Sequence, residues 1–442
     1  LGARGQAHAL AAAYTRRWAN AEPEALGYLY VDGHVRPYHG RKHKLPKAYV
    51  QRRRLCMPAT TDVWVNDTRA EPWFVVTTEA NDSLLSALEN EVLPTVREQV
   101  GERRRVTVIF DREAWSPKSF VRWAAQGFDV ITYRKGRYEP WDEARFVKVE
   151  DTSHSLPARY WLAEQETTLT KGIKMREVRR LCDDGHQTSV MTTRRDLSMV
   201  KVASRMFARW RQENFFRYMR HEYALDHLCT YDVDPADPER LITNPERKAR
   251  EKERAALRRE LAGLKKDYAQ AALEHPERER HVTRAGVGLG EAIADCERRY
   301  AELDAAVKAL PKKIAINEVL SEKQIVELER ERKTLTDLVK TVAYRAESSL
   351  LRVIEPLLCR HEDEGRAFLK ALFQTPADLI PDEGRQELRV RYHSMAQPRF
   401  NRALYALCEA LNEEGHVYPA TSLRIVYEGP RLARETDPCQ EV

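Results

Sequence analysis

The sequence predicts a mixed α/β fold followed by a mainly α-helical region, and three observations carry that expectation. Short β-branched runs, Gly27 to Val31 and Val106 to Phe110, each lead into an aspartate, as buried parallel strands do when they deliver a polar group at the strand end. Between such runs lie segments with apolar residues every three or four positions, the period of an amphipathic helix. Beyond residue 232 the short runs give way to long charged segments with coiled-coil spacing.

Taken in order, the opening LGARGQAHALAAAYTRRW has charge on both sides of an alanine-rich stretch, so residues 1–25 read as an amphipathic connector helix and not a secretory leader. The chain opens on Leu1, and further sequence upstream is expected. Strands at Gly27 to Val31, Ala48 to Pro58 and Trp73 to Thr78 form a three-strand meander. A helix from Ser83 to Val100 follows, with Leu84, Leu88, Val92 and Val96 on one face. The strand Val106 to Phe110 ends in Asp111, Ser116 and Pro117 open a second helix as N-cap and first helical residue, and Phe128 to Tyr133 is a fifth strand. These elements make a sheet domain over 26–136.

From 137 to 195 helical periodicity is poor, and polar β-branched runs indicate a β-rich insertion. The basic, aromatic stretch RMFARWRQENFFRYM, within 196–232, reads as a helix that sets Arg209, Glu213 and Arg220 on one face. Residues 233–352 form a helical region. Leu257, Leu261, Leu264 and Tyr268, then Ile293, Cys296, Tyr300, Leu303, Val307 and Leu310, mark coiled-coil seams, with AGVGLGEA as the hairpin turn and a third helix from Ser321 to Leu351. The spacing leaves open whether these helices pair within one chain or between two. Residues 353–442 form a C-terminal domain in which Arg389, Arg391, Arg399 and Arg402 read as a solvated basic face.

Charged residues are 32% of the 442, and no uncharged apolar run approaches the roughly 20 residues of a membrane-spanning helix, which argues against a membrane protein. Seven cysteines are scattered with no CxxC pair, so reduced thiols in a cytoplasmic protein and no zinc site are expected. The net charge is only +6, yet Arg36, Arg41, Lys42, Lys44, Lys47, Arg52, Arg53 and Arg54 follow one another without an acid between Gly33 and Thr61. Such a run beside Asp32 suits DNA phosphates, with a solvated hairpin as the bland alternative.

Asp32, Asp111 and Glu213 are three acids in contexts where each can help hold a divalent cation, the last between two guanidinium groups. Over roughly Leu26 to Tyr231 the chain resembles the DDE transposases of bacterial insertion sequences, whose core is ribonuclease H-like. Their pattern Tyr-x2-Arg-x3-Glu-x6-Lys reads here as Met206, Arg209, Glu213 and Arg220, with Met replacing Tyr and Arg replacing Lys. The resemblance implies a ribonuclease H-like layout with Asp32 beside Asp111, and those two with Glu213 as catalytic and metal-binding triad. It implies two magnesium or manganese ions, transposon-end and target DNA as substrates, a homodimer on DNA, and a nucleoid-associated bacterial protein. Arg209, Arg220, Arg36, Arg41, Lys42, Lys44, Arg52, Arg53 and Arg54 are then the phosphate contacts. In relatives that form DNA hairpins an insertion aromatic stacks on a flipped base, which points to Trp161 and, second, Trp141; filling a small core is the commoner role of such a tryptophan. A nuclease with the same core but no strand transfer, and a non-catalytic DNA-binding remnant, are the other two classes the sequence admits.

Overall fold

The structure, a computed structural model, describes residues 6–41, 43, 45–79, 82–151, 158–169, 172–274, 284–321, 324–355 and 361–430. It divides into two units, one of residues 1–39, 46–231 and 329–442, the other of 40–45 and 232–328.

The first unit is a mixed α/β body. After the helix α1 (Gln6–Ala21), the strand β1 (Tyr28–Pro37) runs through the middle of a ten-stranded sheet. Its first residues pair in parallel with β5 (Val106–Phe110), Tyr30 opposite Ile109, while Tyr30 to Pro37 pair antiparallel with β3 (Leu55–Asn66), Asp32 opposite Trp64. The chain passes from β1 through β2 (Lys47–Val50) and β3 to β4 (Pro72–Glu79). It then crosses by α2 (Leu84–Ala87), a π turn and α3 (Leu93–Val100) to β5, and by α4 (Pro117–Ala125) to β6 (Phe128–Tyr133). Ser116 caps α4 by accepting from the Ser119 N–H, with Pro117 in the first turn, where its missing N–H costs nothing. The π turn at Leu88–Val92 comes just before Pro94, which cannot supply a helical N–H.

Two expected elements differ. β1 does not stop at Val31 but continues to Pro37, because the antiparallel ladder to β3 carries its polar half. The expected strand Ala48 to Pro58 is a hairpin: β2 and the start of β3 are joined by a 3-10 turn, Gln51–Arg53, with Arg54 at φ 52°. The central part of β3 escaped the apolar-run criterion because Asp62 and Asn66, both fully buried, interrupt it.

The β-rich insertion is part of the same sheet. β7 (Val147–Asp151), β8 (Ala158–Thr168), β9 (Lys174–Leu181) and β10 (Gln187–Thr192) are added in the order β6-β10-β9-β8-β7, β10 antiparallel to β6. One face of the sheet buries Leu29, Val31, Val108, Phe110 and Val130 against Leu88, Val92, Phe120 and Trp123 of the crossover helices. The other buries Tyr30, Ile109, Ile131, Leu162 and Val178 against Val202, Ala203 and Met206 of α5 (Met199–Phe207). The expected single helix here is interrupted. Ala208 and Arg209 form a turn in which the Arg209 and Gln212 N–H groups reach back three residues, and α6 (Trp210–Tyr223) begins beyond it. Met206 is a core residue of α5, fully buried.

α9 (Arg330–Ile354) packs on α1, β4 and α11 (Pro398–Glu414), with α10 (His361–Gln374) against it. The last strands, β15 (Ala377–Asp382), β16 (Glu387–Tyr392) and β17 (Arg424–Glu428), make a three-stranded sheet. In this sheet Arg389 pairs with Asp382 and Arg391 with Glu428, and Arg399 of α11 pairs with Glu364 of α10, which neutralises most of the expected basic face.

The second unit is a helical arm on a narrow β stem. β11 (Val233–Pro235) pairs with β14 (Val326–Leu328), and β12 (Leu241–Thr243) with β13 (Lys313–Ala315). α7 (Pro245–Glu274) and α8 (Arg284–Ala309) rise from it and run antiparallel within one chain, as the pairs Arg254–Asp304 and Lys265–Glu297 require. The glycines of AGVGLGEA lie inside α8, so the expected turn is not there; residues 275–283, which join the helices, lie outside the described residues.

In the first unit, four charges are buried together. Arg36 of β1 pairs with Asp62 of β3 and, at 2.6 Å, with Asp337 of α9; Lys333 of α9 lies 2.6 Å from Asp62 and 2.7 Å from Asp337. Two positive and two negative groups close a neutral ring, to which Thr77 of β4 adds an oxygen 2.6 Å from Lys333. Burial alone would raise the Asp337 pKa, but Arg36 and Lys333 outweigh it and hold the group at about 2. Asp337→Ala is expected to cost about 3–5 kcal/mol in urea unfolding at pH 7, because two cations would remain with one acid. The same linkage makes parental stability fall as pH drops from about 4 towards 2. A loss below about 1 kcal/mol on substitution would show that the ring does not hold α9 in place.

Candidate functional site

Residues alternate across β1, so Tyr30, Asp32, His34 and Arg36 share the face on which α5 and α6 lie. α6 is fixed over this strand by Gln212, whose amide donates to the carbonyls of Tyr30 and Trp64, and by Phe216, which stacks on His34 with centroids 5.1 Å apart. The interruption before α6 puts Arg209 at the helix start, above the junction of β1 and β5. Its Nη1 lies 3.2 Å from Asp32 Oδ2 and its Nη2 3.7 Å from Asp111 Oδ2. One guanidinium therefore spans both aspartates.

The carboxylates are oriented locally. Asp32 Oδ1 accepts from the Gly33 N–H, and Asp111, just past the end of β5, caps a 3-10 turn by accepting from the Arg112 N–H. Burial raises the Asp32 pKa to about 6; Arg209 and the Gly33 N–H oppose this, while Glu113 and Asp111 add to it. Glu113, in that 3-10 turn, thus belongs to the acidic neighbourhood although no strand pattern singled it out.

Glu213 is exposed and stands on the wall of a cleft of about 440 Å³ with Tyr133, Tyr160, Phe207, Arg209, Trp210 and Arg180. Among the described residues it makes no ion pair within 4 Å. Burial raises the Tyr133 pKa, with Arg209, Asp111 and Glu213 as charged neighbours. Asp32, Asp111 and Glu213 do not bring one oxygen each within 4.8 Å of one another; the acids that do so among the described residues are Glu22, Asp67 and Glu71. That second cluster already holds two guanidinium groups, from Arg345 and Arg352.

The other expected site residues are dispersed. Arg220 lies two turns beyond Glu213 on α6, and its charged neighbours are Arg52, Asp226 and Arg217, not Asp32 or Asp111. Burial lowers its pKa, Arg52 and Arg217 lower it further, and Asp226 opposes them; its buried Nε has no hydrogen-bond partner. Asp226 also binds His34 at 2.8 Å and Arg52 at 3.2 Å. Arg52, Arg53 and Arg54 sit exposed at the tip of the β2–β3 hairpin. Arg36 cannot be a phosphate contact in this fold, since it is 1% exposed and committed to Asp62 and Asp337. Arg41 is exposed and belongs to the second unit, while Lys42 and Lys44 lie outside the described residues.

Trp161 is 44% exposed, but on β8 it alternates with Tyr160 and Leu162, so it projects from the sheet face opposite the cleft. Trp141 is buried against Phe146 and Ala163, with Arg179 over its ring. The aromatic side chains that reach the cleft are Tyr133, Tyr160, Phe207 and Trp210. Sequence reading missed Tyr133 and Tyr160 because only the antiparallel addition of β10, β9 and β8 brings them to one wall. The available signal was that Tyr133 ends the fifth strand on the same side as the acids.

Carboxylate oxygens are the donors a hard divalent cation takes, and here Asp32 of β1 and Asp111, just past β5, already share one cationic group, the Arg209 guanidinium. Residues 2–429 match the family model described as transposase protein. The chain belongs to this transposase family. No curated protein matches it. As a transposase it is a DNA-binding, DNA-processing protein, and the exposed arginines of the β2–β3 hairpin fit that partner. Among the described residues no helix of the transposase is long and apolar enough to cross a membrane.

Because Asp32 titrates near 6 in the fold and near 4 unfolded, it binds more protons folded, and its ionisation costs stability as pH rises between those values. Without added metal, Asp32→Asn is expected to melt above the parent at pH 8, with the difference gone below about pH 4. Equal melting temperatures at pH 8 would show that Asp32 is not strained by its surroundings.

Proposed function

We propose that this transposase is a DDE enzyme of insertion-sequence type that cleaves transposon ends and joins them to target DNA, using Asp32, Asp111 and Glu213 on a ribonuclease H-like core. One observation carries the reading: two aspartates from neighbouring strands converge on a single cation, the Arg209 guanidinium, with a third acid on the adjoining cleft wall. The order β1, β3, β4, helix, β5, helix, β6, with β1 beside β5, supports the ribonuclease H-like assignment.

Asp32 and Asp111 would hold magnesium or manganese, with Glu213 completing the set as the cleft closes on DNA. Two such ions supply activation of water or of a 3′ hydroxyl and stabilisation of the departing 3′ oxygen. The chain's own residues do the rest. The Gly33 and Arg112 N–H groups fix the aspartate oxygens. Tyr133, Tyr160 and Trp210 offer flat faces beside the acids on which a sugar or base next to the cut can rest. Arg220 and Arg52, crowded together with Asp226 as their shared acid, suit a phosphate further along the strand. A dimer on paired DNA ends completes the reading.

Asp32→Asn, Asp111→Asn and Glu213→Gln are each expected to abolish Mg²⁺-dependent cleavage of transposon-end DNA while retaining binding in a mobility-shift assay, and joining to a target plasmid should vanish with it. Wild-type cutting by any one removes that acid from the set, and cleavage without joining would make the protein a nuclease.

Replacing Arg52, Arg53 and Arg54 together with Ala should weaken duplex binding and flatten its salt dependence. Each lost phosphate contact lowers the log-log slope by about 0.9. An unchanged slope in fluorescence-anisotropy titrations would put the hairpin tip away from DNA.

A further inference from the structure

Arg209 sits where a divalent ion would have to sit to be shared by Asp32 and Asp111, and three features make it a poor permanent strut. It offers one nitrogen to each carboxylate, at 3.2 and 3.7 Å, and not the paired two-nitrogen grip with which a guanidinium binds one carboxylate most firmly. Its Nη1 is buried, yet no hydrogen bond of good geometry satisfies it. It is also carried at the start of α6, beside the interruption that ends α5, and lines the cleft of about 440 Å³, so open space adjoins it.

We propose that Arg209 is a displaceable counter-cation: it neutralises Asp32 and Asp111 while no divalent ion is present, and swings into the cleft when one binds. The proposal rests on the metal reading above and adds to it a competition between an internal guanidinium and an external ion for the same oxygens. On the cleft wall the exposed Glu213 offers the displaced guanidinium another anionic neighbour. Two consequences follow. The ion must bind against Arg209, so its apparent affinity is lower than the two carboxylates alone would give. Removing Arg209 without adding an ion leaves two acids facing each other with no cation between them, which destabilises the fold.

The test is Mn²⁺ binding to the full chain without DNA, by calorimetric titration at low ionic strength, with melting curves in parallel. Arg209→Gln is expected to bind Mn²⁺ about tenfold more tightly than the parent, a factor that corresponds to about 1.4 kcal/mol. Arg209→Lys, a point charge that reaches one carboxylate at a time, should fall between them. In chelator Arg209→Gln should melt below the parent, and Mn²⁺ should raise its melting temperature by more than it raises the parent's. The Asp32→Asn, Asp111→Asn double variant should not bind the ion. If the double variant loses Mn²⁺ but neither Arg209 variant binds more tightly than the parent, displacement is overturned and the metal site stands. If the double variant binds Mn²⁺ as the parent does, the metal reading fails, and this proposal with it. Should Arg209→Gln not fold, Arg209→Lys carries the same comparison.

Discussion

The buried ring of Arg36, Asp62, Lys333 and Asp337 is the constraint on which the first unit depends. The second half of β1 carries Asp32, His34 and Arg36, and Arg36 is buried, so its charge must meet opposite charge. A helix from nearly three hundred residues later supplies two of the four groups. That requirement sets α9 against β1, β3 and β4, and Phe215 of α6 is then packed between Trp64 of β3 and Tyr344 of α9. With α6 pinned there, Arg209, the residue that caps its start, falls over Asp32 and Asp111. The position of Arg209 is thus a consequence of charge neutralisation at Arg36, four strand residues along β1 from Asp32.

Burial and function pull in different directions along β1. Arg36 answers to the core, and its guanidinium is spent on two buried carboxylates. Asp32, on the same face four residues earlier, lies where the helical cover is interrupted, and its raised pKa reflects an acid held close to protein with incomplete compensation. His34 between them is stacked on Phe216 and bound to Asp226, so it ties the strand to the loop after α6. Three like-facing residues thereby acquire three roles from their neighbours alone.

Part of this was legible in the sequence. The strands that end before Asp111 and at Tyr133, the cap at Ser116 and Pro117, and the helical face of Leu84, Leu88, Val92 and Val96 have local signals: apolar runs, cap chemistry and period; the neighbouring of Asp32 and Asp111 came from the resemblance alone. The basic run did not read correctly as a unit. Its members are contiguous in sequence, but Arg36 is buried, Arg52 to Arg54 sit on a hairpin tip, and Arg41 belongs to the second unit. Charge patterning reports composition, whereas phosphate binding needs exposure, and exposure depends on what packs above a strand. Trp161 shows the same gap, because one residue of register on β8 decides which face an aromatic occupies.

By itself, then, the sequence determined the mixed α/β class of the fold and the place of its strongest strands and helices, and it offered three acids as candidates for a metal site, since these follow from period, capping and residue chemistry within short windows. The tertiary structure alone decided that the insertion strands extend the main sheet, that the helix carrying Glu213 breaks at Ala208 and Arg209, and that the break sets a guanidinium between Asp32 and Asp111. Those outcomes turn on contacts between segments far apart in the chain, where a buried charge must find its partner and a strand edge must be covered. No local pattern records which distant segment will do so.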